Sequence, residues 1–449
     1  MATSRAVLVS QNHLLARLGE SRDRTDRIFD LLPPGSLYER PIPERHRLIF
    51  YLGHLEAFDW NLLAPYLNLR AHDPASDQLF AFGIDPVDGG LPTDVPADWP
   101  SIGQVQRYNH RVRSGLDAKL QAAGSASLGT DTDLETLINV AIEHRLMHAE
   151  TLAYLLHNLA TEKKVAHPAE PRDSRPAPQA RQVEIPRGFA TLGKPRGRSA
   201  GFGWDNEFGV EQIDVRGFSI DVFPVTNDEY LKFVRAGGYD NANYWKPEDW
   251  GWKQRERIEH PHFWQRRVNA PGSGSCDDWE YRGMFGTAPL PPSWPVFVSH
   301  AEASAFANWS GKQLPTEAQW QRAAYGTPEG KERAYPWGEA PPDTTRGNFH
   351  HARWEPTAVT GHAAGASAFG VHDLLGNGWE WTSTPFGPLP GFEPFSFYKG
   401  YSANFFDGKH FVMKGGSQRT DACMLRRTYR NWFQPHYPYV YATFRCVAK

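Results

Sequence analysis

The sequence predicts a mixed two-domain protein of class α + α/β: a helical bundle, then a compact loop-rich domain of helices and short strands. Three observations predict it. Apolar residues recur at helical spacing through 8–32, 44–68, 102–123 and 133–160. A stretch with Pro168, Pro171, Pro176 and Pro178 and mixed charge then interrupts the pattern, and such a composition reads as linker. Beyond it the chain turns rich in Gly, Trp and Asn with short β-like runs. At 449 residues and 40% hydrophobic, it can bury a core in each part.

Taken in order, the four helical segments are separated by turn formers such as Pro33-Pro34-Gly35 and Gly124-Ser125. Four such helices suggest an up-and-down bundle over 1–161. Asp85-Pro86-Val87-Asp88-Gly89-Gly90 reads as a long loop over the mouth of that bundle. Residues 162–185 are the linker, and 186–449 form the second domain. Its clearest helices are Asn227 to Ala236, His300 to Trp309, and one opening at Glu317 behind Thr316, a good N-cap. No internal repeat is visible.

Several function classes fall away. A net charge of −3 gives no general attraction to nucleic acid or anionic membrane. No apolar run reaches the ~18 residues that a membrane span needs. Met1-Ala2-Thr3-Ser4-Arg5 lacks the apolar region of a signal peptide. Cys276, Cys423 and Cys446 cannot form a disulfide framework and show no CxxC spacing. A soluble cytoplasmic protein is expected.

The most informative residues are His54, His144 and His148. His144 and His148 stand one helical turn apart, so both imidazoles project from one face. Leu137, Ala141, Leu152 and Leu155 share that face, so it looks inward. His54 lies among Tyr51, Leu55, Phe58 and Leu62 and should face a core too. A single buried histidine is usually a hydrogen-bonded core residue. Three from two helices make a three-nitrogen metal site with open positions. Such a set suits Fe(II) and equally describes a catalytic zinc site. Glu150 lies about 200° round the helix from His148 and points elsewhere.

Pro224-Val225-Thr226-Asn227, Leu314-Pro315-Thr316-Glu317-Ala318-Gln319-Trp320, Tyr335-Pro336-Trp337-Gly338, Gly376-Asn377-Gly378-Trp379-Glu380-Trp381-Thr382, Lys414-Gly415-Gly416-Ser417 and Phe444-Arg445-Cys446 resemble the formylglycine-generating-enzyme/sulfatase-modifying-factor fold. That fold is a variant C-type-lectin-like domain. His144, His148 and Glu150 in HxxxHxE spacing, joined by His54, resemble a DinB-like bundle. The fusion of the two resembles the sulfoxide synthases of ergothioneine and ovothiol biosynthesis and their selenium relative, selenoneine synthase. The resemblance implies a non-heme Fe(II), O₂-dependent oxidoreductase. Such an enzyme joins a thiol or selenol to the imidazole carbon of hercynine, Nα-trimethylhistidine.

It also implies roles for particular residues. His54, His144 and His148 would hold the iron. Asn431 and Trp432, with Phe433 beside them, would contact the trimethylammonium, which offers no hydrogen-bond donor and is recognised by aromatic faces and oxygen dipoles. Departures from the family are informative. Phe433 and Tyr437 stand where the γ-glutamylcysteine branch carries charge. Gly391-Phe392-Glu393-Pro394 lacks that branch's catalytic tyrosine, and no tyrosine lies between Tyr66 and Tyr108. Tyr398 and Tyr401 are the remaining candidates for the proton donor. Met147 stands where a glutamine often precedes the second helix histidine, beside substrate. Arg107, Arg111 and Arg113 follow the 85–90 loop and either reach the donor or form a solvated basic face. These losses favour a changed donor, a selenosugar or another small thiol such as cysteine. The active site is expected at the seam between the domains.

Three other classes compete. Formylglycine generation needs two close C-terminal cysteines, which Cys423 and Cys446 are not. A DinB-type thiol transferase would use zinc or nickel. A non-catalytic binding module is the third, and an intact buried histidine trio argues against it.

Overall fold

The structure is a computed structural model that describes residues 2–81, 91–128, 132–168, 170, 175–197, 200–267 and 278–449, with side chains of 2–12, 123–128 and 132 outside the description. The 85–90 loop and Cys276 therefore lie outside the described residues. The chain divides into two compact units, Met1–Pro168 and Ala169–Lys449.

The first unit contains α1 (Ala2–Phe29), α2 (Leu48–Leu63), a short α3 (Pro74–Leu79), α4 (Ile102–Leu128) and α5 (Thr132–Asn158). The four long helices are those the apolar spacing predicts. On α4 the buried residues Val105, Tyr108, Val112, Leu116 and Leu120 form a single stripe, the pattern of a helix with one face inward. In α5 nearly everything from Leu137 to Leu156 is buried, polar residues included, so it is the central helix. It packs on α1 and α2, and α2 packs on α4. Two boundaries differ from the expected ones. α2 starts at Leu48 rather than near residue 44, because Arg47 is held extended by bonds to Tyr38 O (2.7 Å) and Asp94 Oδ2 (3.0 Å). It stops at Leu63 rather than 68, where Asn68 takes a left-handed conformation (φ 53°).

The second unit has strands β1 (Gln182–Ile185), β2 (Gly188–Leu192), β3 (Glu211–Val215), β4 (Phe218–Asp221), β5 (Trp264–Arg266), β6 (Trp279–Gly283), β7 (Gly286–Pro289), β8 (Lys312–Gln313), β9 (Trp379–Pro385), β10 (Phe411–Lys414), β11 (Asn431–Phe433), β12 (Ala442–Thr443) and β13 (Val447–Ala448). Among them run helices α6 (Asn227–Arg235), α7 (Pro247–Arg255), α8 (His300–Trp309), α9 (Glu317–Tyr325) and α10 (Gly400–Ala403). The main sheets have orders β1-β4-β13-β8 and β11-β10-β9-β12, and two smaller sheets are formed by β2-β3 and by β5-β6-β7. β1 corrects the expected linker. Its residues 182–185 pair antiparallel with β4, and Ile185 is buried in the core. Thr316 caps α9 as expected, accepting from Gln319 N–H while the Gln319 side chain answers on Thr316 N–H.

The quoted motifs have structural reasons. The indole N–H of Trp320 donates to Glu380 (3.0 Å), and Arg445 grips both oxygens of the same carboxylate at 2.7 Å. All three residues are fully buried, so this knot ties α9, β9 and the segment between β12 and β13 together. Gly415 sits at φ 94°, where a Cβ would meet Leu374 O at 2.6 Å, so only glycine fits there. Among the described residues no helix is long and apolar enough to cross a membrane.

Candidate metal centre

His54 comes from the middle of α2, and His144 and His148 come from one turn of α5. All three are buried, and one nitrogen from each lies within 4.8 Å of the others. Among the described residues the set holds these three and not Glu150. An aromatic ring of α2 braces each imidazole. Phe50 stacks on His54 (4.9 Å between centroids), Phe58 on His144 (3.4 Å), and Tyr51 lies 5.8 Å from His148. Spacing on one helix puts Phe50, Tyr51, His54 and Phe58 on adjoining positions of one face.

His54 Nδ1–H donates to Phe80 O at 2.7 Å. That bond fixes the tautomer and leaves Nε2 as the lone-pair nitrogen. Phe80 reaches this place because residue 53 is glycine; a Cβ there would meet the Phe80 ring at 2.6 Å. Burial lowers the His54 pKa to about 4, against the opposing pull of the Phe80 carbonyl. Burial, then the neighbouring histidines, holds His144 and His148 well below the usual imidazole range. Three neutral donors therefore converge at pH 7. His144 Nδ1 and His148 Nδ1 are buried with no hydrogen-bond partner. Unpaired buried nitrogens are costly in a plain core, and three imidazoles whose nitrogens gather within 4.8 Å suit a cation.

In the second unit, Asn431, Trp432 and Phe433 form β11, half-buried at the edge of its sheet. Strand alternation puts Asn431 and Phe433 on one face and Trp432 on the other. The Asn431 carboxamide oxygen accepts the Trp432 N–H at 2.9 Å. Trp432 stacks on Phe386 (4.1 Å) with Tyr401 edge-on at 5.5 Å. Tyr401 is itself stacked on buried Trp204 (3.9 Å), and burial raises its phenol well above the usual range. Tyr398 is half-buried, 5.5 Å from Tyr401 between centroids.

Comparison with known proteins accounts for both units. Residues 17–152 match the DinB superfamily, and residues 168–449 match the sulfatase-modifying factor enzyme 1-like domain. A hercynine oxygenase of Mycolicibacterium smegmatis is 34% identical over 95% of this chain and 96% of its own. One from Mycobacterium tuberculosis is 38% identical over 54% of this chain and 55% of that protein. The ergothioneine biosynthesis protein 1 of Neurospora crassa is 28% identical over 93% of this chain, which spans about half (55%) of that relative's length. This chain belongs to the ergothioneine sulfoxide synthase family. It is an oxidoreductase by that membership.

Within this family member, Phe433 and Tyr437 stack face to face at 5.1 Å, an uncharged aromatic pair. Phe392 packs edge-on against Phe406 at 4.9 Å. Arg107 and Arg111 line a cavity of about 210 Å³ together with Phe80, Tyr108 and Asp73. Arg113 does not join them, which corrects the reading of it as a donor contact. It is tied to Asp26 (2.6 and 2.7 Å) and Glu56 (2.7 Å). Met147 is half-buried directly before His148. Two features escape a reading of the sequence. Tyr51 is the phenol whose ring lies beside His148, and Phe80 supplies the acceptor that orients His54. The i, i+3 spacing of Tyr51 to His54 was the available signal for the first; the second depends on a chain crossing that no local pattern encodes.

Proposed function

We propose that this chain carries out the non-heme Fe(II)-dependent, O₂-dependent joining of a selenium or sulfur donor to the imidazole carbon of hercynine, with a selenosugar as the preferred donor. The observation that carries this reading is the convergence of three buried, neutral histidines. Their donor set fits the ion: soft-to-intermediate imidazole nitrogens suit Fe(II), and three ligands leave positions for substrate and O₂. Fe(II) held by His54, His144 and His148 would supply the redox chemistry.

The chain's own residues do the rest. Asn431 offers an oxygen dipole and Phe433 an aromatic face to the trimethylammonium from one side of β11; Trp432 lies on the other side, stacked on Phe386, so the expected Trp432 contact is replaced by a role in backing the strand. Arg107 and Arg111 face the donor from their cavity, and Met147 packs against substrate beside His148. Tyr401 and Tyr398 are the proton donors. The overall change balances: one imidazole C–H and one Se–H or S–H are lost, a C–Se or C–S bond and an Se–O or S–O bond form, and O₂ ends as the added oxygen and one water. The stacked pair Phe433 and Tyr437 supports an uncharged donor over γ-glutamylcysteine, because neither ring brings a positive charge to pair with a carboxylate. The runner-up is cysteine or another small thiol in the same reaction.

The test supplies hercynine, O₂ and Fe(II) to the protein with a selenosugar, cysteine or γ-glutamylcysteine in parallel, and reads products by mass. Faster product formation from the selenosugar is expected. Preference for cysteine selects the runner-up. No product from any donor, with zinc bound in preference to iron, contradicts the oxidative reading.

A further inference from the structure

Beneath the histidine trio lies a buried chain of charges that its chemistry does not use. Arg145, between His144 and His148 on α5, donates to Glu56 Oε1 (3.0 Å), Asp59 Oδ2 (2.6 Å) and Leu55 O (2.9 Å). All three acceptors are on α2, within five residues of His54. The side chains of Arg145, Glu56 and Asp59 are at most 1% exposed. The chain continues into α4 and α1: Arg113 shares Glu56 Oε1 and pairs with Asp26, while Arg22 pairs with Asp117 (2.6 Å).

Buried ion pairs add little net stability over well-packed apolar side chains. What a planar guanidinium fork adds is geometry, since its donors meet their acceptors only along fixed directions. Three contacts from one side chain of α5 to one turn of α2 fix how far the helices slide and how they rotate. The trio needs that registration. A slip of one residue shifts a helix by about 1.5 Å, against a ligand set gathered within 4.8 Å.

We propose that Arg145, acting through Glu56 and Asp59, is a positioning residue that registers α5 on α2 and thereby closes the histidine trio. This rests on the trio being a metal site. Arg145→Met alone strands two buried carboxylates and risks misfolding. The test therefore uses Arg145→Lys, which keeps charge but loses the fork, and the neutral triple variant Arg145→Met/Glu56→Gln/Asp59→Asn. Each is followed by circular dichroism, thermal melting and Co(II) titration read in the visible spectrum. The expected result is a folded triple variant that binds Co(II) about ten- to hundredfold more weakly with altered bands, and Arg145→Lys between it and wild type. A folded triple variant with wild-type affinity and bands overturns the proposal. So does failure of both variants to fold, which assigns the network to folding itself. If the wild-type protein binds no Co(II), the metal reading fails first and this one falls with it.

Discussion

Each imidazole of the trio has an aromatic ring of α2 beside it, and the tightest constraint is the hydrogen that serves Gly53 as a side chain. Gly53 is where α2 lets the Phe80 ring touch its backbone, and Phe80 O is what orients His54. Gly53→Ala puts a methyl about where the ring edge now sits. The expected cost is ~1–3 kcal/mol of stability from overpacking, together with weaker metal binding as the His54 bond is strained. Urea unfolding and a metal titration check the two halves. Unchanged affinity in a folded variant would separate Phe80 from the site. The residue scale is also where sequence reading stopped short. The His144 and His148 pair was legible because a one-turn spacing is local. The stacking of Phe58 on His144 and the acceptor for His54 were not, since they depend on how side chains and distant segments meet.

At the scale of elements, α8 shows how burial sets the acid limit of the second unit. His300 opens this helix, stacks on Phe411 (3.9 Å) and contacts Thr382 O at 3.2 Å. Burial, then the charge of Lys246, lowers its pKa to about 3. In the unfolded chain it titrates near 6.5. The unfolded state therefore takes up the proton first: stability is complete above pH 6.5 and is lost as pH falls towards 3. The slope is ~1.4 kcal/mol per pH unit for one proton. His300→Phe keeps the stacking and removes this titration. Denaturant unfolding between pH 6 and 4 should show a slope smaller by about that amount; an identical slope would contradict the account. Elements of this kind were largely readable. α8 runs over the predicted His300–Trp309, and Thr316 caps α9. The misplaced edges have tertiary causes. Arg47 is pinned by Asp94 far along the chain, and residues 182–185 became a strand only because β4 was there to pair with them.

At the scale of the whole molecule, the division into a helical unit and a Trp-rich unit was plain from composition, and the family matches follow the same division. The donor was not legible. Its recognition turns on a few side chains, Phe433 and Tyr437 among them, whose neighbours are set by β11 and the turn after it. The central claim is that His54, His144 and His148 together hold one Fe(II). Iron content after anaerobic reconstitution and desalting, wild type beside His148→Ala, tests it most directly. Stoichiometric Fe(II) in the wild type and its near-complete loss in a folded His148→Ala protein are predicted. Equal iron in the two proteins, or none in either, would contradict the account.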